Sequence, residues 1–221
     1  MANNIRTDLK ILVVGSPGTG KTSFVSRWTK DQFKDNYTPT VVSEFGFKIH
    51  KYKEKFYRIQ LWDIGGQDQS LTIAKIFSKD SHGCVVITDS VDSDALEKTL
   101  TWKKLVSESA NFIDGEKLPF ILVQNKIDLI EKREVFENVE NATKDLCETN
   151  NFEKYFMTSV KQNVNVEESM TFLIESIVDR LEQYAGKGNI VFNEQKPRET
   201  VKLRNTTSTS RIRENKKNKC C

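Results

Sequence analysis

Short apolar runs alternate along the chain with amphipathic stretches, and that alternation predicts most of the architecture. LKILVV (9–14), FYRIQLWD (56–63), CVVITD (84–89), FILVQNK (120–126) and YFMTS (155–159) read as strands. Residues 44–52 predict an edge strand that pairs with 56–63 as a hairpin. Helical spacing follows at about 21–31, 94–112, 135–150 and 166–184. Interior strands that are almost wholly apolar, each followed by a helix, predict an α/β fold: six strands, mostly parallel, with helices on both faces. No internal repeat interrupts the series. In sheets of this kind ligands bind beyond the carboxyl ends of the strands.

Charge divides the chain in two. Residues 186–221 hold ten Lys and Arg against three Glu, a balance of +7 beside +3 for the whole chain, so residues 1–185 carry −4. A mildly acidic globule therefore precedes a basic tail rich in Lys, Asn, Thr and Ser, which buries too little apolar surface to offset its ordering entropy and is expected to be disordered. The 37% hydrophobic content is modest because of this tail. Four cysteines in 221 residues do not make a disulfide scaffold. Cys84 and Cys147 fall in apolar and helical patterns and read as reduced core thiols, whereas Cys220 and Cys221 are the last two residues. The polar start MANNIRTDLK has no signal-peptide segment, and Ala2 stands where myristoylation needs glycine. The expected setting is the cytosol, with attachment to a membrane surface rather than passage through it.

Candidate chemistry falls at the ends of the predicted strands. Gly15-x-x-x-x-Gly20-Lys21-Thr22 follows LKILVV and opens a helix, the context of a phosphate loop, and should arise by chance in roughly one chain in a hundred of this length. The glycines let the loop's backbone N–H groups curl around phosphate oxygens at the positive end of the helix dipole. Lys21 supplies a point charge to the β and γ phosphates, and the Thr22 hydroxyl suits Mg²⁺. After FYRIQLWD comes Asp63-Ile64-Gly65-Gly66-Gln67. Asp63 can hold a Mg²⁺-bound water, Gly66 can turn its N–H to a γ-phosphate, and Gln67 has the donor and acceptor needed to orient an attacking water. Asn125-Lys126-Ile127-Asp128 follows FILVQ, where the Asp128 carboxylate can accept from both N1–H and the exocyclic amine of guanine. Adenine offers neither, so an unpaired buried carboxylate would reject it. Thr158-Ser159-Val160-Lys161 closes the last strand and offers backbone N–H groups to the guanine oxygen.

The ordered set GSPGTGKTS, Thr40, DIGGQ, NKID and TSVK resembles the Ras-like small GTPases over residues 8–184, a P-loop NTPase small G domain. RIQLWDIGGQD, the basic tail and the terminal Cys-Cys are similar to the Rab branch, and LEKTLTWKK with LPFILVQNKID to the Rabs of lysosome-related organelles. The resemblance implies a GTP/GDP switch with Mg²⁺ that hydrolyses GTP slowly and recruits effectors to the cytoplasmic face of intracellular membranes, endosomal or lysosome-related, in vesicle trafficking. It implies that Phe33 stacks on guanine, Tyr37 closes over the phosphates, and Thr40 gives Mg²⁺ a second hydroxyl only beside a γ-phosphate. Phe45, Trp62 and Phe77 match the aromatic triad that Rabs show to effectors, although aromatics on a hairpin also serve plain core packing. Implied partners are an exchange factor, an activating protein of the TBC-domain type, an escort or dissociation-inhibitor protein and effectors; nucleic acid is not among them. Cys220 and Cys221 would carry geranylgeranyl groups behind Lys216, Lys217 and Lys219.

The chain departs from that family at Val42, at Asp68-Gln69-Ser70, at Phe77-Ser78 and at Val160. Pro17 lacks an N–H, but the implied phosphate donors lie at 18–23, so binding is expected to survive. Its ring should instead stand near the γ-phosphate, on the path of a regulator's arginine. These departures keep open a GTP-binding scaffold with little hydrolysis. A metabolic P-loop kinase would need an arginine-rich lid, and none is visible. The expected division is 1–7 as an extension, 8–184 as the G domain and 185–221 as the tail.

Overall fold

The computed structural model of the protein describes residues 7–35, 40, 43–67, 70–92 and 94–187. Its six strands are β1 (Thr7–Val14), β2 (Ser43–Tyr52), β3 (Lys55–Ile64), β4 (Gly83–Asp89), β5 (Phe120–Asn125) and β6 (Lys154–Met157). They form one sheet in the order β2-β3-β1-β4-β5-β6, in which only β2 runs antiparallel. The expected hairpin is present, with Phe45 opposite Trp62 and Lys51 opposite Phe56. Every residue of β4 and β5 is buried, as befits inner strands covered on both faces.

Among the described residues five α-helices cover the sheet: α1 (Lys21–Lys30), α2 (Ser70–Ser78), α3 (Ala95–Ser107), α4 (Arg133–Thr149) and α5 (Val166–Gly186). α1 packs with α5 and α2 with α3, while α4 lies against β6. The core gathers Leu9, Ile11 and Val13 of β1 with Phe24 of α1, Phe120 and Leu122 of β5, and Met170 and Ile174 of α5. Cys84 and Cys147 are buried free thiols, as their patterns predicted. Burial pushes both thiols up, so neither is primed as a nucleophile.

Three elements differ from the sequence expectation. α2 has no counterpart in it, because nine residues make too short a periodic run and Ile76 faces solvent. α3 stops at Ser107 instead of running to 112. There the Ser107 and Ser109 hydroxyls donate back to the carbonyls of Lys103 and Leu105. The chain then reverses through Asp114-Gly115, with Gly115 at φ 85° and Phe112 N–H bonded to Glu116 O. Arg180 of α5 fixes this turn through two bonds to Asp114 and one to the Lys117 carbonyl. Finally, β6 ends at Met157, so Thr158 and Ser159 belong to the loop beyond it.

Candidate nucleotide site

Beyond the carboxyl ends of β1, β3 and β5, one cavity of about 750 Å³ collects Lys21, Thr22, Gly66, Gln67, Asn125 and Asp128 from three separate segments. Phe33, Thr40, Phe45, Val160 and Lys161 line it as well.

Its floor is the loop between β1 and α1. Gly15, Gly18 and Gly20 take φ values of 147°, 76° and 95°, which side-chain-bearing residues rarely adopt. A methyl at Gly15 would lie 2.1 Å from the Ile87 carbonyl oxygen, and one at Gly20 would lie 2.4 Å from the Asn125 side-chain nitrogen. These glycines are needed for close approach as well as for conformation. Lys21 is buried, and its Nζ donates to the carbonyls of Gly15 (2.9 Å) and Ser16 (2.7 Å). Burial pulls its ammonium down to about 8, against the opposing pull of the Asp63 carboxylate.

Thr22, on the first turn of α1, joins two distant segments. Its hydroxyl donates to Asp63 Oδ2 at 2.5 Å and lies 2.7 Å from the Thr40 hydroxyl. Asp63 is fully buried at the end of β3, and burial pushes its carboxyl up to about 6, opposed by the Thr22 hydrogen bond and the Lys21 charge. Its Oδ1 is buried with no hydrogen-bond partner among the described residues. Two hydroxyls and an under-solvated carboxylate form an all-oxygen donor set that fits a hard divalent cation such as Mg²⁺. The buried lysine beside them fits an anion.

Gly66 touches the phosphate loop directly. A methyl there would lie 2.4 Å from the Pro17 nitrogen and 2.8 Å from Lys21 Nζ. Pro17 thus stands against the Asp63–Gln67 turn and lines the cavity. Gln67 is exposed at the cavity's rim.

The opposite wall is built around Asn125. Its buried amide donates to the Thr19 carbonyl (2.9 Å), and its Oδ1 accepts the Val160 N–H (3.1 Å), tying both loops to the end of β5. Lys126 follows in the left-handed conformation at φ 68°, its Nζ 2.6 Å from Asp89 Oδ2. Asp128 lies in a 3₁₀ turn, Ile127–Leu129, where Ser159 Oγ donates to its Oδ1 at 2.5 Å. The same hydroxyl accepts the Gln162 N–H at 3.0 Å, which is the use the loop makes of Ser159. Val160 is buried, so its side chain points away from solvent while its amide serves Asn125.

Sequence reading overlooked two contributors. Asp89 ends the fully buried β4, where a carboxylate is conspicuous, and it both pairs with Lys126 and caps the Val91 N–H. Arg27 gave no local signal at all; it reaches the loop of Val160 and Lys161 from the middle of α1. Among the aromatics, Phe45 is 53% exposed, stands edge-on to Trp62 at 5.3 Å, and Trp62 continues to Phe77 at 5.0 Å. Trp62 and Phe77 also pack against the core, which is the plain packing role that aromatics on a hairpin can serve. Tyr37, Val42, Asp68, Gln69, Cys220 and Cys221 lie outside the described residues, as does residue 188 onward.

A sequence model of the Ras family matches residues 10–179. The Homo sapiens Ras-related protein Rab-32 is 29% identical over 197 residues, covering 89% of this chain and 86% of that protein. Ras-related protein Rab-7L1 of Homo sapiens is 32% identical over 170 residues, 76% of this chain and 82% of the relative. Ras-related protein Rab-32C of Dictyostelium discoideum is 33% identical over 171 residues, 77% and 74% of the two chains. With the phosphate loop, the Asp63 turn and the Asn125–Asp128 turn assembled around one cavity, the chain belongs to the Ras family of small GTPases, in its Rab branch.

Proposed function

We propose that this Rab-like GTPase switches through Thr40, whose hydroxyl meets the Thr22–Asp63 pair at the mouth of the phosphate loop. That contact carries the reading, because it links the segment before β2 to the end of β3 through a single hydroxyl on α1. In this reading Gly18, Thr19, Gly20, Lys21, Thr22 and Ser23 hold the phosphates of GTP or GDP. Thr22, Thr40 and Asp63 hold Mg²⁺, which would neutralise phosphate charge. Asn125, Lys126, Asp128, Ser159, Val160, Lys161 and Phe33 enclose guanine, and Tyr37 covers the phosphates. Loss of the γ-phosphate releases Thr40 and, with it, the segment leading to Phe45. Trp62 and Phe77 extend that segment into a surface for effectors.

Gln67 is assigned to orient the attacking water, with Gly66 N–H turned to the γ-phosphate. Gln67→Leu is expected to slow intrinsic hydrolysis by roughly tenfold or more, since a positioned water is replaced by an unpositioned one. The starting rate should already be slow, on the order of 10⁻⁴ to 10⁻³ per second. Phosphate release under single-turnover conditions measures the change. A rate indifferent to the substitution removes Gln67 from the chemistry and favours the scaffold reading. An activating protein of the TBC type, bringing its own arginine and glutamine, should lose less from this substitution than the intrinsic reaction does.

The division into residues 1–7, a switch domain over 8–184 and a basic tail over 185–221 belongs to the same proposal. A Rab-like switch is expected to act at intracellular membranes, and the described residues contain no helix long and apolar enough to cross one. The anchor is assigned to geranylgeranyl groups on Cys220 and Cys221, with escort by a dissociation-inhibitor protein. Two long chains at about 0.8 kcal/mol per buried methylene hold firmly where one acyl chain is marginal. Deleting both cysteines is expected to move the protein from the membrane pellet to the cytosol while leaving GDP content unchanged. Continued pelleting of the truncated chain on cell fractionation points to a different anchor. An endosomal or lysosome-related compartment is the proposed destination.

A further inference from the structure

Arg27 lies in α1, the helix whose first turn carries Lys21 and Thr22, yet its guanidinium reaches the loop of Val160 and Lys161 at the other end of the cavity. Its side chain is only 15% exposed. Nε donates to the Val160 carbonyl at 3.1 Å and one terminal nitrogen to the Lys161 carbonyl at 3.2 Å. The other terminal nitrogen bonds Asp31, which takes the left-handed conformation that ends α1. The guanidinium carbon also stands 5.8 Å from the centroid of the Phe33 ring. One side chain thereby touches two walls of the base end and the helix that carries the phosphate end.

A planar trans peptide holds its N–H opposite its C=O. Drawing the Val160 carbonyl towards α1 therefore directs the Lys161 N–H away from α1. Drawing the Lys161 carbonyl likewise directs the Gln162 N–H the other way, where it meets Ser159 Oγ at 3.0 Å. That hydroxyl in turn donates to Asp128 Oδ1 at 2.5 Å. A chain of contacts thus runs from Arg27 through the Lys161 carbonyl, the Gln162 N–H and the Ser159 hydroxyl to the carboxylate assigned to guanine. The five N–H donors of a guanidinium form a rigid fork, which suits it to span two carbonyls and a carboxylate at once.

We propose that Arg27 is a positioning residue for the guanine end of the site, holding the Val160–Lys161 backbone and the Phe33 ring in register with α1 and so setting the dwell time of the nucleotide. The proposal rests on the reading of this loop as the guanine wall. Lysine at the same position keeps the charge beside Phe33 but can reach only one of the two carbonyls at a time.

Release of the fluorescent analogue mant-GDP from the full chain, chased with excess GDP, tests it. Arg27→Ala is expected to release about tenfold faster, the scale of one lost charge-assisted hydrogen bond. Arg27→Lys should fall between it and the unmutated chain. Repeating the measurement in EDTA should raise every rate while preserving the ratio between variants, because the metal-facing residues Thr22 and Asp63 are untouched. A lower thermal midpoint in both variants with unchanged release assigns Arg27 to the fold alone and overturns the proposal. A ratio that vanishes in EDTA also overturns it, since Arg27 would then act through the phosphate end. If the unmutated chain yields mant-GDP to ADP as readily as to GDP, the guanine reading fails and this proposal with it. Selective displacement by GDP together with an unchanged Arg27→Ala rate defeats the proposal alone.

Discussion

Asp128→Asn is expected to convert the site from guanine to xanthine nucleotides. The carboxylate is rigidly presented: the 3₁₀ turn that carries it is tied to the loop after β6 by Ile127 N–H to Thr158 O at 3.1 Å, and Ser159 Oγ fixes Oδ1 at 2.5 Å. Its remaining acceptor capacity suits the N1–H and exocyclic amine of guanine. An amide of the same shape sets its own NH₂ against that amine, so two donors face each other. Hydrogen bonds to a charged group contribute about 1.5–3 kcal/mol each, so losing two of them costs about 3 kcal/mol or more, at least a hundredfold in GDP affinity. Xanthine carries a carbonyl at position 2, which accepts from the new amide and restores one bond. Because the amide oxygen can still accept from Ser159, the loop should keep its shape. Competition of GDP, XDP and ADP for the two proteins decides the matter. An Asp128→Asn variant that still prefers GDP to XDP removes this carboxylate from base recognition.

The phosphate loop was legible in the sequence because backbone does its chemistry, and backbone conformation is written in glycine. Gly15, Gly18 and Gly20 all take positive φ, and two of them also admit a neighbour that any side chain would displace. Asp63 and Asn125 were legible for a different reason, since each ends an apolar strand at the edge of the sheet where ligands collect. Arg27 and Asp89 were not. Arg27 lies 133 residues from Val160, and nothing in the sequence ties the two. Asp89 works by holding Lys126, 37 positions on, and only the parallel register of β4 with β5 sets them side by side. Residues that touch a ligand through backbone leave a local pattern, whereas residues that hold those residues in place leave none. The same limit hid α2, whose short run exposes Ile76 and half-buries Phe77 where an amphipathic period would need more turns to declare itself.

Lys21→Ala should empty the site without unfolding the domain. In the structure the Lys21 ammonium is desolvated and returned to the loop's own carbonyls, Gly15 O at 2.9 Å and Ser16 O at 2.7 Å. Its charge is poorly compensated there, which is why burial pulls its pKa down to about 8. A polyphosphate restores that compensation, and two charge-assisted contacts at about 1.5–3 kcal/mol each amount to at least about 3 kcal/mol of binding. Alanine forfeits them, so affinity for GTP and GDP should fall by roughly a hundredfold or more. Stability should suffer far less, because alanine also removes a buried charge and the core under Phe24 and Val13 is unchanged. Thr22→Asn separates the two halves of the site. It breaks the hydroxyl link between Asp63 and Thr40 but leaves Lys21 in place, so GDP should persist while the preference for GTP is lost. Nucleotide content of the purified proteins, read by chromatography after denaturation, distinguishes the cases, and a thermal melt of each variant reports the fold. Full GTP occupancy in Lys21→Ala would withdraw the phosphate loop from nucleotide binding. Loss of GDP from Thr22→Asn as complete as that from Lys21→Ala would mean that the hydroxyl serves both nucleotide states equally, and that Thr40 is not held through it by the third phosphate.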